Sequence, residues 1–431
     1  QQDKWHRLRS WARKHPALRR LYHRLKKENP KLAMVFNPGI TEITPLIARA
    51  STLDQIRLNL LVPSVNPEHT FGGISTALNF FQQLREKASS DCRIILTDAA
   101  PPTNFRFLDY TTVSLDDADR PGTLLLPAND RYGRTLPVRS HDLFVATSWW
   151  SAYHAQALMR WQRQTYGGFA PLVYLIQDFE PGFYAWSSHS ALADATYRSE
   201  LPVFAVFNSS YLRDYFLKLD YRFDRIDCFE PQLNLKLKAL LSKQQMATAT
   251  KKQILVYGRP SVSRNAFELI VESLRIWVWK QPDITEWSIV SAGEPHPAVD
   301  LGNGKKLTSV GKLTLEAYAQ TLAVSAIGLS LMISPHPSYP PMEMAAYGMG
   351  VLTNRYGEIN LSDWHENIVS AEVMAPQDLS AQLLGLCERF RQNPQSFVNG
   401  RLLKPDYLGG SDQFAFLNSL ADQLLSTEPG L

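Results

Sequence analysis

The sequence predicts an α/β fold of two Rossmann-like doubly wound domains facing a central cleft, and three observations carry that expectation. Short, continuously apolar runs rich in Val, Ile, Leu and Phe alternate with helical patterns twice along the chain, as parallel sheets covered on both faces require. The alternation breaks once, in the polar stretch FEPQLNLKLKALLSKQQMATATKK, which reads as an interdomain linker. A length of 431 residues exceeds one ordinary core and suits two large domains.

Taken in order, a basic segment and connector at 1–50 precede the first domain, expected at 51–235. Its opening strand, 56–62 (IRLNLLV), runs into the loop PSVNPEHTFGGIS and the helix TALNFFQQLREKA; strand, glycine-bearing loop and helix begin a βαβ unit. Strands follow at 92–96, 142–148, 171–177 and 203–208, with helices in WWSAYHAQALMRWQRQ and SSYLRDYFLKL. The second domain is expected at 236–410. Its strands are 253–258, 286–293, 307–311, 327–333 and 350–354, and its helices lie in AFELIVESLRIWVWKQ, TLEAYAQTLAVS, PMEMAAYG and at 378–394. A last amphipathic helix, within 411–431, is long enough to cross back and pack on the first domain.

Composition narrows the function. Hydrophobic residues make up 45% and aromatic residues 11%, which describes a globular protein and not a disordered one. The cysteines, Cys92, Cys228 and Cys387, are odd in number and form no C-x-x-C pair, so no disulfide framework or zinc site is expected and a reducing, cytoplasmic setting fits. The longest uncharged apolar run, 322–333, falls short of the roughly 18 residues of a bilayer span.

The net charge of +4 is uneven: residues 1–31 hold eleven Lys or Arg against Asp3 and Glu28, a net +9, leaving −5 for the rest. Within that segment Trp5, Leu8 and Trp11, then Leu18, Leu21, Tyr22 and Leu25, recur at helical spacing on either side of Pro16. Trp among Lys and Arg on such a face suits an anionic membrane surface; docking of a partner enzyme is the alternative. Nucleic acid is not expected, because the acidic remainder offers no continuing basic track.

Ligands of doubly wound sheets bind at the carboxyl ends of the strands, and three loops of the second domain lie there. In YGRPSVSRN, Gly258 and Arg259 end the strand and Arg264 is placed at a helix start. Two guanidiniums with free backbone N–H groups suit a diphosphate without a metal. In SVGKLTLEAY, Gly311 permits close backbone approach and Lys312 adds positive charge. In SPHPSYPPMEMAAYGMGVLTN, four prolines stiffen a loop ahead of Glu343, expected in the first helical turn, where a carboxylate is stabilised and able to accept from a ribose diol. Tyr339 is placed to lie against a base or sugar. Simple capping of its own helix remains the other reading of Glu343.

These motifs resemble the nucleotide-binding domain of GT-B glycosyltransferases of family 4, whose phosphate-binding loop matches Gly258, Arg259 and Arg264 and whose paired-glutamate motif ends at Glu343. The first glutamate of that motif falls on Pro335, so His336, Ser338 or the loop backbone is expected to take over contacts to the donor sugar. The proline-rich loop, the GGIST loop and the LTN strand end are similar to the WsaF-type rhamnosyltransferases, over about residues 55–425. The resemblance implies a metal-independent hexosyltransferase using dTDP-L-rhamnose for surface polysaccharide such as O-antigen, capsule or S-layer glycan. The first domain would serve the acceptor and the second the donor.

It further implies that Arg259 and Lys312 hold the diphosphate, Glu343 the ribose and the rim at 310–312 the base. Gly72 and Gly73 would approach donor phosphate or acceptor, and His69 the acceptor. Asp178 and Glu180, at a strand end in LIQDFEPGF, are the candidate general bases. The Asp117-Ala-Asp119 triplet sits in a polar turn and is not expected to hold a metal. The implied partners are a nucleotide sugar and a lipid-linked saccharide acceptor, with residues 1–31 at the inner face of the plasma membrane. A catalytically weak GT-B scaffold and a sugar-nucleotide epimerase are the alternatives, and the absence of G-x-G-x-x-G after either first strand argues against a nicotinamide dehydrogenase.

Overall fold

The computed structural model describes residues 39–66, 72–88, 90–102, 107, 109–243, 251–409 and 412–426. The chain forms two compact units, 1–45 and 46–431. The described part of the first holds one 3-10 turn, Thr41–Ile43; the basic segment 1–31 and His69 lie outside the described residues.

The second unit carries the strands β1 (Ile47–Ala50), β2 (Arg57–Val62), β3 (Asp91–Leu96), β4 (Thr111–Thr112), β5 (Thr123–Pro127), β6 (Thr135–Val138), β7 (Asp142–Ala146), β8 (Leu172–Ile176), β9 (Val203–Phe207) and β10 (Arg225–Cys228), then β11 (Lys251–Gly258), β12 (Ser288–Gly293), β13 (Val299–Gly302), β14 (Lys305–Gly311), β15 (Ser325–Leu329), β16 (Gly350–Asn354) and β17 (Ile368–Ala371). Its helices are α1 (Gly73–Ala88), α2 (Trp149–Tyr166), α3 (Ser188–Tyr197), α4 (Ser210–Lys218), α5 (Leu235–Lys243), α6 (Phe267–Lys280), α7 (Leu315–Val324), α8 (Tyr339–Ala346), α9 (Pro376–Gln392), α10 (Gln395–Val398) and α11 (Leu417–Ser426).

The strands build an eight-stranded sheet, β10-β9-β8-β7-β2-β3-β5-β4, and a seven-stranded sheet, β13-β14-β12-β11-β15-β16-β17. All pairs in the first are parallel; in the second only β13 runs antiparallel, on the edge. Strands β2, β7, β8 and β9 are buried along their whole length, which is why they read as unbroken apolar runs. Each sheet has an apolar cluster on either face, the signature of helices on both sides. Both chains of strands start in the middle, at β2 and β11, and grow outward in both directions. The switch points therefore lie between β2 and β7 and between β11 and β15, and the loops beyond their carboxyl ends flank the cleft.

The structure corrects several expectations. Part of the expected linker is helix α5: Leu237 is buried, and Leu240 and Leu241 pack beside it at helical spacing against the second domain. The strand expected at 327–333 ends at Leu329: after one last backbone bond, from the Ser330 amide to the Leu352 carbonyl of β16, Leu331 and Met332 bond to the side chains of Asn265 and Asn354. The pair β1–β6 and strands β5, β10 and β17 have no counterpart in the sequence reading. Helix α11 packs on α1: Phe414 meets Phe80 at 5.5 Å and Phe229 at 5.0 Å, and Leu417, Leu420 and Leu424 are buried with the first sheet.

Asp119, the second carboxylate of the Asp-Ala-Asp triplet, is committed to structure. At the amino ends of the first sheet Arg57 forks onto Asp142 through two 2.7 Å bonds and reaches Asp119 at 2.6 Å, while Arg139 binds the other Asp119 oxygen at 2.9 Å. This network lies at the opposite sheet end from the cleft. Among the described residues no group of three or more His, Cys, Asp or Glu is arranged to hold a metal, and no helix is long and apolar enough to cross a membrane.

Candidate functional site

On the second domain, Gly258 pairs with Gly293 at the ends of β11 and β12, and Gly311 at the end of β14 pairs with Ala292. Gly258 cannot be larger, since a Cβ there would lie 2.0 Å from the Ser291 Oγ beneath it. Gly293 has φ +138° and a Cβ there would lie 2.4 Å from the Gly258 carbonyl oxygen. The result is a bare backbone ledge with cations at its rim. Arg259 follows β11, with its Nε 3.4 Å from Glu294 Oε1. Glu294 accepts from the Ser261 amide at 3.0 Å and hydroxyl at 2.7 Å, so it shapes the whole 259–261 turn. Burial opposes its charge, but these bonds and Arg259 hold the carboxyl below its usual range. Lys312 is exposed directly after Gly311.

Glu343 sits deeper. Helix α8 starts at Tyr339, so Pro340 and Pro341 belong to its first turn, where a missing N–H costs nothing. Glu343 falls in the second turn and not the first, which corrects the helix-start expectation. Tyr318 on α7 donates to Glu343 Oε2 at 3.0 Å, and the charge is also felt by Tyr257, Tyr339, Tyr347 and Tyr407. Burial among these rings pushes the carboxyl up to about 7, with the Tyr318 bond pulling the other way. The helix has no side-chain cap bond at its start.

The loop between β15 and α8 crosses to the first domain. Asn354, at the end of β16, clamps its base: the Met332 amide donates to Oδ1 at 2.7 Å and Nδ2 donates to the Met332 carbonyl at 2.9 Å. The Ile333 amide donates to the Arg264 carbonyl at 2.7 Å. Ser334 Oγ then donates to Asp178 of the first domain, and the His336 amide donates back to Ser334 Oγ at 3.0 Å. Arg264 completes the junction, its Nε 3.4 Å from Asp178 Oδ2 and its guanidinium 4.0 Å above the Phe183 ring. It lies in the 3-10 turn Ser263–Asn265 ahead of α6, turned toward Asp178. Arg264 thus belongs to the domain junction.

On the facing side, Asp178 follows β8 and also accepts from the Phe179 amide at 2.8 Å. Its neighbour Gln177 donates to the Gly73 carbonyl at 2.9 Å, tying the glycine loop and the start of α1 to the same spot. Gly72 takes the left-handed φ of +51° that lets the chain turn into α1. Tyr339 bridges the sides, accepting from Asn208 Nδ2 at 3.2 Å and bonding to Thr76 in the first turn of α1. The sixteen-residue α1 aims its positive end at this junction. Glu180 turns the other way: it is buried, accepts from Tyr197 at 2.9 Å, and burial raises its carboxyl to about 8. The two candidate bases are thereby separated, Asp178 in the cleft and Glu180 in the interior.

Sequence reasoning passed over Asn208, Ser334, Tyr318, Glu294 and Asn354. Asn354 ends β16 and Asn208 directly follows β9, so the strand-end rule applied to every strand would have found them. Tyr318, in mid-helix, carried no signal.

Comparison with known proteins fits this geometry. The family signature described as WsaF, N-terminal domain, matches residues 57–210, and that of the WsaF C-terminal domain matches 252–384. The O-antigen biosynthesis protein RfbC of Myxococcus xanthus is 30% identical over 217 residues, 49% of this chain but only 15% of that protein. Among solved structures, sucrose-phosphate synthase from Thermosynechococcus elongatus superposes with a TM-score of 0.51 at 14% identity, over 86% of this chain and 98% of that one. Anabaena HepE in complex with UDP does so at 0.51 and 12%, over 86% and 100%. With both family domains matched in order and the two-sheet architecture shared, the chain belongs to the WsaF family and is a glycosyltransferase of the GT-B fold.

Proposed function

We propose that this glycosyltransferase moves L-rhamnose from dTDP-L-rhamnose onto a saccharide acceptor in the assembly of a bacterial surface polysaccharide. The observation that carries the reading is the match of both WsaF domains, read with the 334–343 loop that sets Tyr339 and Glu343 at the cleft. The name of the RfbC relative supports the O-antigen context.

In this reading the glycine ledge receives the diphosphate, Arg259 and Lys312 balance its charge, and Glu343 accepts from the ribose hydroxyls. The bond from the anomeric carbon to phosphate oxygen breaks with its electron pair leaving on dTDP. The cations stabilise that developing charge while the sugar becomes oxocarbenium-like. An acceptor hydroxyl forms the new bond from the first domain, and Asp178 takes its proton. Arg264 beside Asp178 keeps the carboxylate oriented, and Gly72 and Gly73 leave the start of α1 open to donor phosphate or acceptor. The charge and aromatic pattern of residues 1–31 supports attachment to the inner membrane face, where a lipid-linked acceptor is presented.

Calorimetric titration with dTDP, UDP, GDP and ADP, with and without EDTA, tests the donor. The expected result is preferential dTDP binding that survives EDTA and is lost in Arg259→Ala; absence of any nucleotide binding overturns the reading.

A further inference from the structure

Two residues beyond Asp178 the chain turns inward and buries a second carboxyl group. Glu180 is only 8% exposed, and an acidic side chain stays inside a protein only where partners hold it. Its partners come from three elements. Tyr197 of α3 donates to Oε2 at 2.9 Å, and the Tyr174 hydroxyl of β8 stands 3.5 Å from the same oxygen. The Trp149 amide also donates to the carboxyl; Trp149 is the first residue of α2, where an N–H has no acceptor within its own helix. The surrounding frame is stiff. The Tyr174 and Tyr197 rings stack at 4.8 Å, Tyr174 shares a 3.3 Å bond with Thr196, and the Thr196 hydroxyl donates to the Ala193 carbonyl at 2.8 Å.

What Glu180 holds does face the cleft. It opens the 3-10 turn Glu180–Phe183, which α3 grips again where Ser190 Oγ donates to the Pro181 carbonyl at 2.9 Å. Asp178 leads into that turn, and Phe183 ends it with its ring 4.0 Å from the guanidinium of Arg264, the cation beside Asp178. We propose that Glu180 is a positioning residue for glycosyl transfer: by fastening the 180–183 turn to α2 and α3 from inside, it fixes Asp178 and the Phe183–Arg264 contact toward the acceptor hydroxyl. The proposal rests on the reading of Asp178 as the group that takes the acceptor's proton.

The hold depends on charge. Burial pushes the Glu180 carboxyl up to about 8 and Asp178 adds to the rise, while the bonds from Tyr197, the Trp149 amide and Tyr174 pull the other way. The titratable groups facing it are thus Asp178, Tyr174 and Tyr197, and burial raises both phenols well above their ordinary range. Because the folded carboxyl titrates above its unfolded value, the fastening is complete at low pH and weakens as pH rises through about 8. Ionisation there sets a second negative charge next to Asp178.

The test measures turnover at saturating dTDP-L-rhamnose with a rhamnose-terminated acceptor from pH 7 to 9, beside dTDP titration and backbone amide exchange, on the full chain of wild type, Glu180→Gln and Glu180→Ala. With about nine-tenths of the carboxyl protonated at pH 7 and about one-tenth at pH 9, wild-type kcat should fall about tenfold across the range. Glu180→Gln keeps the neutral shape, so it should retain the turnover of wild type at pH 7 and lose the alkaline fall. Glu180→Ala should lose about 10- to 100-fold in kcat at pH 7, the cost of a misplaced proton acceptor, with donor KM and dTDP affinity changed less than about twofold. Amide exchange at 178–184 should quicken in Glu180→Ala and, beyond the chemical rate, in wild type at pH 9, but not in Glu180→Gln, which carries the test if the alanine variant folds poorly. An alkaline fall that persists in Glu180→Gln, a wild-type kcat flat to pH 9, or equal loss of kcat and dTDP binding in Glu180→Ala overturns the positioning role. Exchange at 178–184 that is the same in all three proteins overturns it without reference to turnover. Full transfer by Asp178→Asn instead overturns the reading of Asp178 on which it rests.

Discussion

Replacing Glu343 by Gln offers the sharpest test of how the second domain holds its donor. Burial among tyrosines raises this carboxyl to about 7, against a bond from Tyr318 that favours the charged form. With that midpoint, about nine-tenths of the molecules carry the carboxylate at pH 8 and about one-tenth at pH 6. If only the carboxylate holds the ribose diol, dTDP affinity falls close to tenfold from pH 8 to pH 6. Glu343→Gln should bind about 10- to 100-fold more weakly at pH 8, the worth of a charged hydrogen bond at about 1.5–3 kcal/mol, and should show no pH dependence in this window.

Stability must move the opposite way. The folded carboxyl titrates above its unfolded value, so the stability it contributes is present at low pH and is lost as pH rises through about 7. The shift of about 2.5 pH units sets an upper bound of about 3 kcal/mol on the cost of ionising it in place. Glu343→Gln should therefore melt higher than wild type at pH 8 while binding donor less well. Calorimetric titration at pH 6, 7 and 8, with thermal melts alongside, reads both effects. A dTDP affinity that is flat across pH 6 to 8 in the wild type, with a variant no more stable at pH 8, would rule out a titrating Glu343 carboxylate as the ribose contact.

Other predictions follow from the same geometry. Asp178→Asn should abolish glycosyl transfer while leaving dTDP binding nearly unchanged, measured by turnover beside calorimetry; equal loss of both would make it a purely structural residue. Gly258→Ala should destabilise the second domain by about 1–3 kcal/mol in denaturant, because its Cβ would meet Ser291 Oγ at 2.0 Å. Asp142→Asn should cost up to about 3 kcal/mol by leaving the buried Arg57 and Arg93 with Asp119 as their remaining counter-charge, yet leave the nucleotide affinity of the folded fraction intact. The full chain should sediment with anionic vesicles and release as salt is raised, and deletion of residues 1–31 should remove the effect.

The two sheets were legible because their strands are buried on both faces and so read as apolar runs bounded by turns. Edge elements escaped for the converse reason: β10, with Arg225 and Asp227 in four residues, has no apolar pattern to read. The linker reading failed at α5, where lysines mask the helical spacing of Leu237, Leu240 and Leu241. Arg259 and Lys312 could be read as strand-end residues because each directly follows a strand. The pairing of Arg264 with Asp178 could not, since it joins residues 86 positions apart on different domains and depends on how the two sheets face each other. The register of α8 was misjudged because Pro340 and Pro341 look like loop residues and are instead the first turn.

Rhamnosyl transfer from dTDP-L-rhamnose is read out by mass spectrometry of a rhamnose-terminated acceptor incubated with the protein in EDTA, with dTDP-L-rhamnose and UDP- and GDP-hexoses offered separately. A single deoxyhexose should be added from dTDP-L-rhamnose, and Asp178→Asn should add none. Transfer from a UDP- or GDP-hexose with dTDP-L-rhamnose left intact would contradict it.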